Sequence, residues 1–320
     1  MAWRPTARCR SRLENTLTAR ITSGEVAVCR LFGLHTGAQP QTCSFWLLNA
    51  SDSLSEQSRR QPDGAGIGTF DPNGKPHLVR SALAAYLDPE FAIAAQALTG
   101  TSFVAHVRFA TEGELSVANT HPFEQEGRMF AHNGVIRSLN VLDRELDRRD
   151  ATSLVLGTTD SERYFALLTS YLREFSGDVV QALRACLTWL AQNVSLYCLN
   201  CVLATPQEVW AVRYPDTNPL WYLSGPAGTG SHPAPTGQSP VRFTSRYWAV
   251  AGLDPTINTV TVVASERMTD DAQWAMISPG WALHAGPGDA FELLDLGLGR
   301  PRRQIGHDEL GHAATAQGAD

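Results

Sequence analysis

The chain has 320 residues, enough for one large or two modest domains. Hydrophobic residues make up 43% and charged residues 18%, a globular composition, and no apolar run approaches the ~18 residues of a transmembrane helix. The net charge is −6 with no basic stripe, which argues against a nucleic-acid or anionic-membrane partner.

Residues 1–28 carry Arg4, Arg8, Arg10, Arg12 and Arg20 without sustained periodicity. The apolar stretch of ~7–15 residues that a secretory signal needs is missing, so this segment reads as a leader outside the domain. Folded sequence begins at Cys29, where Cys29–His35 alternates like a buried strand. Phe45–Leu48 is apolar, and Ser51–Gln57 suits a short helix. Gly64–Phe70 and Lys75–Arg80 read as strands joined by the turn Asp71-Pro-Asn-Gly74. Asp88 as N-cap and Pro89 in the first turn open a helix to about Leu98.

Strands are expected at Ser102–Arg108 and Arg128–His132, then helices at Ser138–Leu146, Asp160–Phe175 and Asp178–Asn193. Leu196–Ala204 and Glu208–Arg213 form a hairpin around Thr205-Pro206-Gln207. Leu220–Leu223, Tyr247–Ala251, Val260–Ala264 and Trp281–His284 are further strands, and Gly225–Pro240 reads as a mobile loop. Residues 29–296 make one α+β domain, two sheets with helical outer layers, and 297–320 a flexible tail. Six cysteines are too sparse for a disulfide scaffold, so reduced thiols and a cytoplasmic setting are expected.

Five stretches carry chemistry: Cys29-Arg-Leu-Phe-Gly33, Asp63-Gly-Ala-Gly-Ile-Gly68, Arg108-Phe-Ala-Thr-Glu-Gly113 with Asn119-Thr-His-Pro-Phe123, His132-Asn-Gly134, and Thr159-Asp-Ser-Glu162. A cysteine nucleophile acts as its thiolate and needs a base or a lowered pKa. Arg108 suits a carboxylate gripped by two parallel hydrogen bonds. The Asn133 amide and the Gly134 N–H suit an oxyanion hole at a strand-to-turn junction. Asp160, at a helix start, suits an ammonium group. Together these would hold glutamine, or another γ-glutamyl compound, with a thiol at its side-chain carbonyl.

Each residue also has a plainer role. Cys29 alone reads as a buried strand cysteine, Arg108 as a salt-bridged arginine, Asp160 as an N-cap, and Asn133-Gly134 as a turn. The ordered set favours the functional reading. His121 and His132 read as supporting histidines. Cys198 and Cys201 have redox-like or zinc-like spacing but stand on an apolar strand without a partner pair, which favours core packing. No phosphate-binding helix start follows Gly64, Gly66 and Gly68, so close backbone packing explains them better than a nucleotide loop.

In order and together, these motifs resemble the class II, N-terminal-nucleophile glutamine amidotransferases. The likeness is to their stand-alone branch, similar to ergothioneine-pathway γ-glutamyl hydrolases. The resemblance runs from Cys29 to about Gly288 and implies a four-layer αββα sandwich of two mainly antiparallel sheets. It implies Cys29 as nucleophile with its own α-amino group as base, and Asn133 and Gly134 as the oxyanion hole. Arg108 and Thr111 would bind the substrate α-carboxylate, and Asp160 its α-amino group. Family members carry histidine after the threonine, where this chain has Glu112. The implied substrate is glutamine or a γ-glutamyl amide, with an ammonia-accepting partner enzyme as one destination of the product. No metal or organic cofactor is implied.

The leader departs from this pattern. A free α-amino group titrates at about 7.7–8.0, and an amide nitrogen has no such basicity. Two routes free Cys29: removal of a propeptide, or translation starting at Val28, whose codon can be GTG read as methionine, with an aminopeptidase then exposing Cys29. The chain is rich in arginine, with Lys75 its sole lysine, and in alanine and glycine, as GC-rich coding DNA gives. If the leader stays, a non-catalytic glutamine-binding regulatory module follows. A third reading, a Cys–His hydrolase, pairs Cys29 with His121.

Overall fold

The computed structural model describes residues 29–109, 116–225, 260–287 and 290–310. The strands are β1 (Arg30–His35), β2 (Ala65–Phe70), β3 (Pro76–Ser81), β4 (Ser102–Val107), β5 (Phe123–Gln125), β6 (Arg128–Arg137), β7 (Ser195–Ala204), β8 (Val209–Arg213), β9 (Trp221–Gly225), β10 (Val260–Ala264), β11 (Ala275–Met276), β12 (Trp281–Gly286) and β13 (Ala290–Asp295). The α-helices are α1 (Leu54–Gln57), α2 (Pro89–Ala97), α3 (Leu139–Arg148), α4 (Asp160–Glu174) and α5 (Val179–Asn193). One sheet runs β11-β9-β10-β1-β4-β2-β3 and the other β13-β12-β8-β7-β6-β5, with antiparallel pairing throughout.

Local chemistry sets these elements. Asp71 closes the β2–β3 hairpin by accepting from Asn73 N at 2.8 Å and Lys75 N at 2.9 Å. Asp88 caps α2 through Glu90 N at 2.9 Å, with Pro89 in the first turn. Asp178 caps α5 through Gln181 N at 2.9 Å.

Strand alternation sorts side chains into layers. Leu31 faces the apolar layer between the sheets, which also holds Val104, Ala131, Val202 and Leu283. Phe32 and Leu34 face outward into a second core with Trp46, Leu54 and Phe91. On the far side, Phe130, Leu199 and Leu203 pack against Leu146, Phe165, Leu168 and Leu187 of α3, α4 and α5. The result is helices, sheet, sheet, helices: an αββα sandwich. Among the described residues, no helix is long and apolar enough to cross a membrane.

The glycines of β2 let the chain pass close to its neighbours. A Cβ at Gly66 would lie 2.1 Å from His121 O, so only glycine fits there.

Several expectations need correction. β6 runs to Arg137 rather than ending at His132, so Asn133 and Gly134 lie inside a strand and not at a turn. The ladder to β7 shifts register between Gly134 and Ile136, a bulge that a five-residue reading misses. Strands β5 and β13 and the π-helical turn Phe45–Asn49 were not expected. Residues 297–310, expected as the start of a tail, pack on the domain. Leu196 N donates to Arg303 O, Tyr214 Oη donates to Gly299 O at 2.8 Å, and Ile305 is buried. The strand expected at Tyr247–Ala251, and all of the expected 225–240 loop beyond Gly225, lie outside the described residues.

Candidate active site

The chemistry-bearing residues converge from four elements at one end of the sheets. In the β1–β4 register Arg30 faces Val107, and one step further along the ladder brings Cys29 to Arg108. The Cys29 thiol accepts from Phe109 N at 3.2 Å and donates to Phe109 O at 3.4 Å. Burial pushes the thiol above its ordinary value. The Phe109 N–H and the guanidinium groups of Arg108 and Arg30 pull it back, and the Asp160 carboxylate pushes it up.

Asn133, buried in β6, donates its side-chain amide to Cys29 O at 2.7 Å and lies 3.4 Å from Ser265 Oγ. A Cβ at Gly134 would sit 1.8 Å from Cys198 O, so the next position admits glycine alone. The bulge releases the Ile136 N–H from the ladder, and Asp160 Oδ2 accepts it at 2.7 Å. Asp160 Oδ1 accepts from Ser161 N at 2.8 Å. Thr159, not Asp160, is the N-cap of α4, accepting from Glu162 N at 3.2 Å, so the capping role expected for Asp160 falls one residue earlier.

Arg108 is buried, and its main chain extends the ladder by donating to Gly64 O at 2.8 Å. Thr111 and Glu112 lie outside the described residues.

The two histidines part company. His132 is a buried link between Ser161 Oγ at 2.9 Å and Cys198 O at 3.0 Å. The His121 ring lies tilted against His106, with ring centroids 4.2 Å apart, and meets Phe123 edge-on at 4.6 Å. Burial pulls both rings of the His106–His121 pair down, His106 to about 3. The hydrogen bonds of the Cys29 sulfur go to Phe109, so among the described residues no histidine stands as its base. This removes the geometric support for a Cys29–His121 pair.

Cys198 and Cys201 sit in separate apolar clusters, as a three-residue spacing on a strand dictates. Burial raises their thiols to about 11 and about 12. Among the described residues no group of histidine, cysteine or acidic side chains is placed to hold a metal ion.

Sequence reasoning missed the supports of the nucleophile. Ser265, just past β10, accepts from Leu31 N at 2.9 Å. Glu266 pairs with the buried Arg30 and, at 3.1 Å, with Arg60. The signal was there: a Ser-Glu pair directly after the buried run Val260–Ala264.

Comparison with known proteins gives a consistent result. The family model "Glutamine amidotransferases class-II" matches residues 28–296. A Haemophilus influenzae protein named "Putative glutamine amidotransferase" is 26% identical over 261 residues, 78% of this chain and 81% of that protein. The glutamine–fructose-6-phosphate aminotransferase (isomerizing) of Agrobacterium fabrum is 34% identical over 126 residues, 39% of this chain but only 20% of that longer protein. Among solved structures, the glutamine aminotransferase class-II domain protein of Silicibacter pomeroyi matches with TM-score 0.54 and 19% identity, covering 83% of this chain and 99% of that one. The glutamine phosphoribosylpyrophosphate amidotransferase of B. subtilis matches with TM-score 0.56 and 18% identity, covering 85% of this chain and 50% of that one. The two structural matches speak for the fold, an αββα sandwich of the N-terminal-nucleophile type. On the family match over most of its length, the chain belongs to the class II glutamine amidotransferases.

Proposed function

We propose that the protein is an amidohydrolase that cleaves the γ-amide of glutamine or of a larger γ-glutamyl compound. The Cys29 thiolate attacks the γ-carbonyl, ammonia or an amine leaves, and a γ-glutamyl thioester remains. Water then releases glutamate and restores the thiol. Arg108, with Thr111, takes the α-carboxylate, Asp160 takes the α-ammonium, and the Asn133 amide and Gly134 N–H stabilise the oxyanion.

One observation carries this reading. The main chain of Phe109, directly after the buried Arg108, holds the Cys29 thiol, Asn133 donates to Cys29 O, and Asp160 is fixed on Ile136 of the same strand as Asn133. That arrangement suits a ligand with an anionic end, a cationic end and a carbonyl between them and the thiol.

The base is the α-amino group of Cys29, freed by removal of residues 1–28, or by initiation at Val28 followed by aminopeptidase removal of the initiator methionine. The sulfur has only main-chain partners among the described residues, and burial raises its pKa, so the chemistry needs that amine. The same fact favours a second reading for any form that keeps the leader: a site that binds glutamine without cleaving it. Ammonia release would serve a partner enzyme, and amine release would make the protein a plain hydrolase. The test is glutamate release from glutamine and from γ-glutamyl amides by a chain beginning at Cys29, with Cys29→Ala as control. No release of glutamate from either substrate would overturn the assignment.

A further inference from the structure

One hydroxyl proton is contested by two groups at the start of α4. Ser161 Oγ lies 2.9 Å from His132 Nδ1 and 3.2 Å from Asp160 Oδ1, and it carries a single proton. His132 decides where that proton goes. Its Nε2 lies 3.0 Å from Cys198 O. A carbonyl only accepts, so Nε2 holds the ring proton, and in the neutral ring Nδ1 is an acceptor. Burial keeps the ring neutral, against the opposing pull of Asp160.

The Ser161 proton therefore points at His132 and away from Asp160. Asp160 Oδ1 is left with the Ser161 N–H at 2.8 Å, and Oδ2 with the Ile136 N–H at 2.7 Å. A carboxylate offers about four acceptor sites, so capacity remains on Oδ1. Had the hydroxyl turned to Asp160, it would occupy one of those sites and drain charge from the carboxylate.

We propose that His132 and Ser161 are positioning residues for the cationic end of the ligand: the pair draws the hydroxyl proton off Asp160 and keeps Oδ1 open for the α-ammonium group of a glutamyl compound. This rests on the assignment of Asp160 to the ammonium group, and it is tested by binding rather than turnover.

The experiment is calorimetric titration of the full chain with L-glutamate and with glutarate, the same dicarboxylate without the amine. His132→Leu releases the Ser161 proton to Asp160 and is expected to weaken glutamate binding about tenfold while leaving glutarate binding unchanged. Adding Ser161→Ala removes the competing proton and is expected to restore glutamate affinity. Equal losses for both ligands, or no recovery in the double variant, would overturn the proposal, as would failure of the unaltered chain to bind glutamate. Should His132→Leu fail to fold, the unaltered protein still decides. Imidazole nitrogen resonances at pH 7 are expected to show a neutral, Nε2-protonated ring at His132, and an Nδ1-protonated or doubly protonated ring would overturn it. A chain that binds glutamate in this pattern yet hydrolyses no γ-glutamyl amide would refute the proposed activity and leave this inference standing.

Discussion

The side-chain amide of Asn133 donates to the main-chain carbonyl of Cys29 at 2.7 Å. One hydrogen bond thus joins the first described residue of the domain to strand β6 of the other sheet, and it fixes the spacing between the thiol and the amide. In the proposed reaction those two groups act on the two atoms of one carbonyl, sulfur on carbon and amide on oxygen.

Asn133→Ala is therefore expected to lower kcat by roughly 10²–10³-fold with KM little changed, because an oxyanion donor acts mainly in the transition state. Steady-state kinetics on glutamine or a γ-glutamyl amide measures this. A raised KM at unchanged kcat would assign Asn133 to ground-state binding instead.

Gly134→Ala tests the packing under the same strand. The added Cβ would sit 1.8 Å from Cys198 O and 2.7 Å from His132 Nε2. Main chain cannot yield as a flexible side chain does, so a loss of ~3 kcal/mol is expected, toward the upper end of overpacking costs. Denaturant unfolding reads it directly, and wild-type stability would show that β6 shifts freely at the bulge.

Arg108→Gln removes a positive charge that pulls the Cys29 thiol down. The thiol is then expected to titrate higher, and the pH profile of its alkylation by iodoacetamide moves to higher pH. An unmoved profile would mean that Arg108 does not act on the sulfur.

The buried His106–His121 pair makes stability depend on pH. Burial holds His106 at about 3 in the folded chain, against an ordinary value of 6.5. The unfolded chain therefore binds protons first as pH falls, so stability is complete above about 6.5 and is lost as pH drops from there toward about 3. Each such histidine contributes a slope of ~1.4 kcal/mol per pH unit within that window. Thermal melting between pH 7 and 4 is expected to show the decline, with a shallower slope in His106→Leu. The same slope in that variant would place the proton uptake elsewhere.

Much of this architecture is legible in the sequence because apolar periodicity and capping residues agree locally. The hairpin at Asp71–Gly74 and the starts of α2 and α5 follow from turn and cap chemistry alone. The continuation of β6 through Asn133 and Gly134 does not, because a polar residue and a glycine break the apolar pattern that marks a strand. What keeps them in the strand is tertiary: pairing with β7, and Asp160 accepting the N–H that the bulge releases. The site shows the same division. The motifs name Cys29, Arg108, Asn133 and Asp160, whereas Ser161, Ser265 and Glu266 gain their places through contacts between residues far apart in the chain or between side chains. His121 stands in a motif beside the site, yet its ring turns to His106 and Phe123, which spacing does not reveal.

In the proposed reaction the free α-amino group of Cys29 is the base. The most direct measurement compares two purified forms, one beginning at Cys29 and one carrying residues 1–28 with an N-terminus verified by sequencing, for glutamate release from glutamine and γ-glutamyl amides. Turnover confined to the form that begins at Cys29 is the expected result. Equal turnover with Cys29 still joined to Val28 would contradict it.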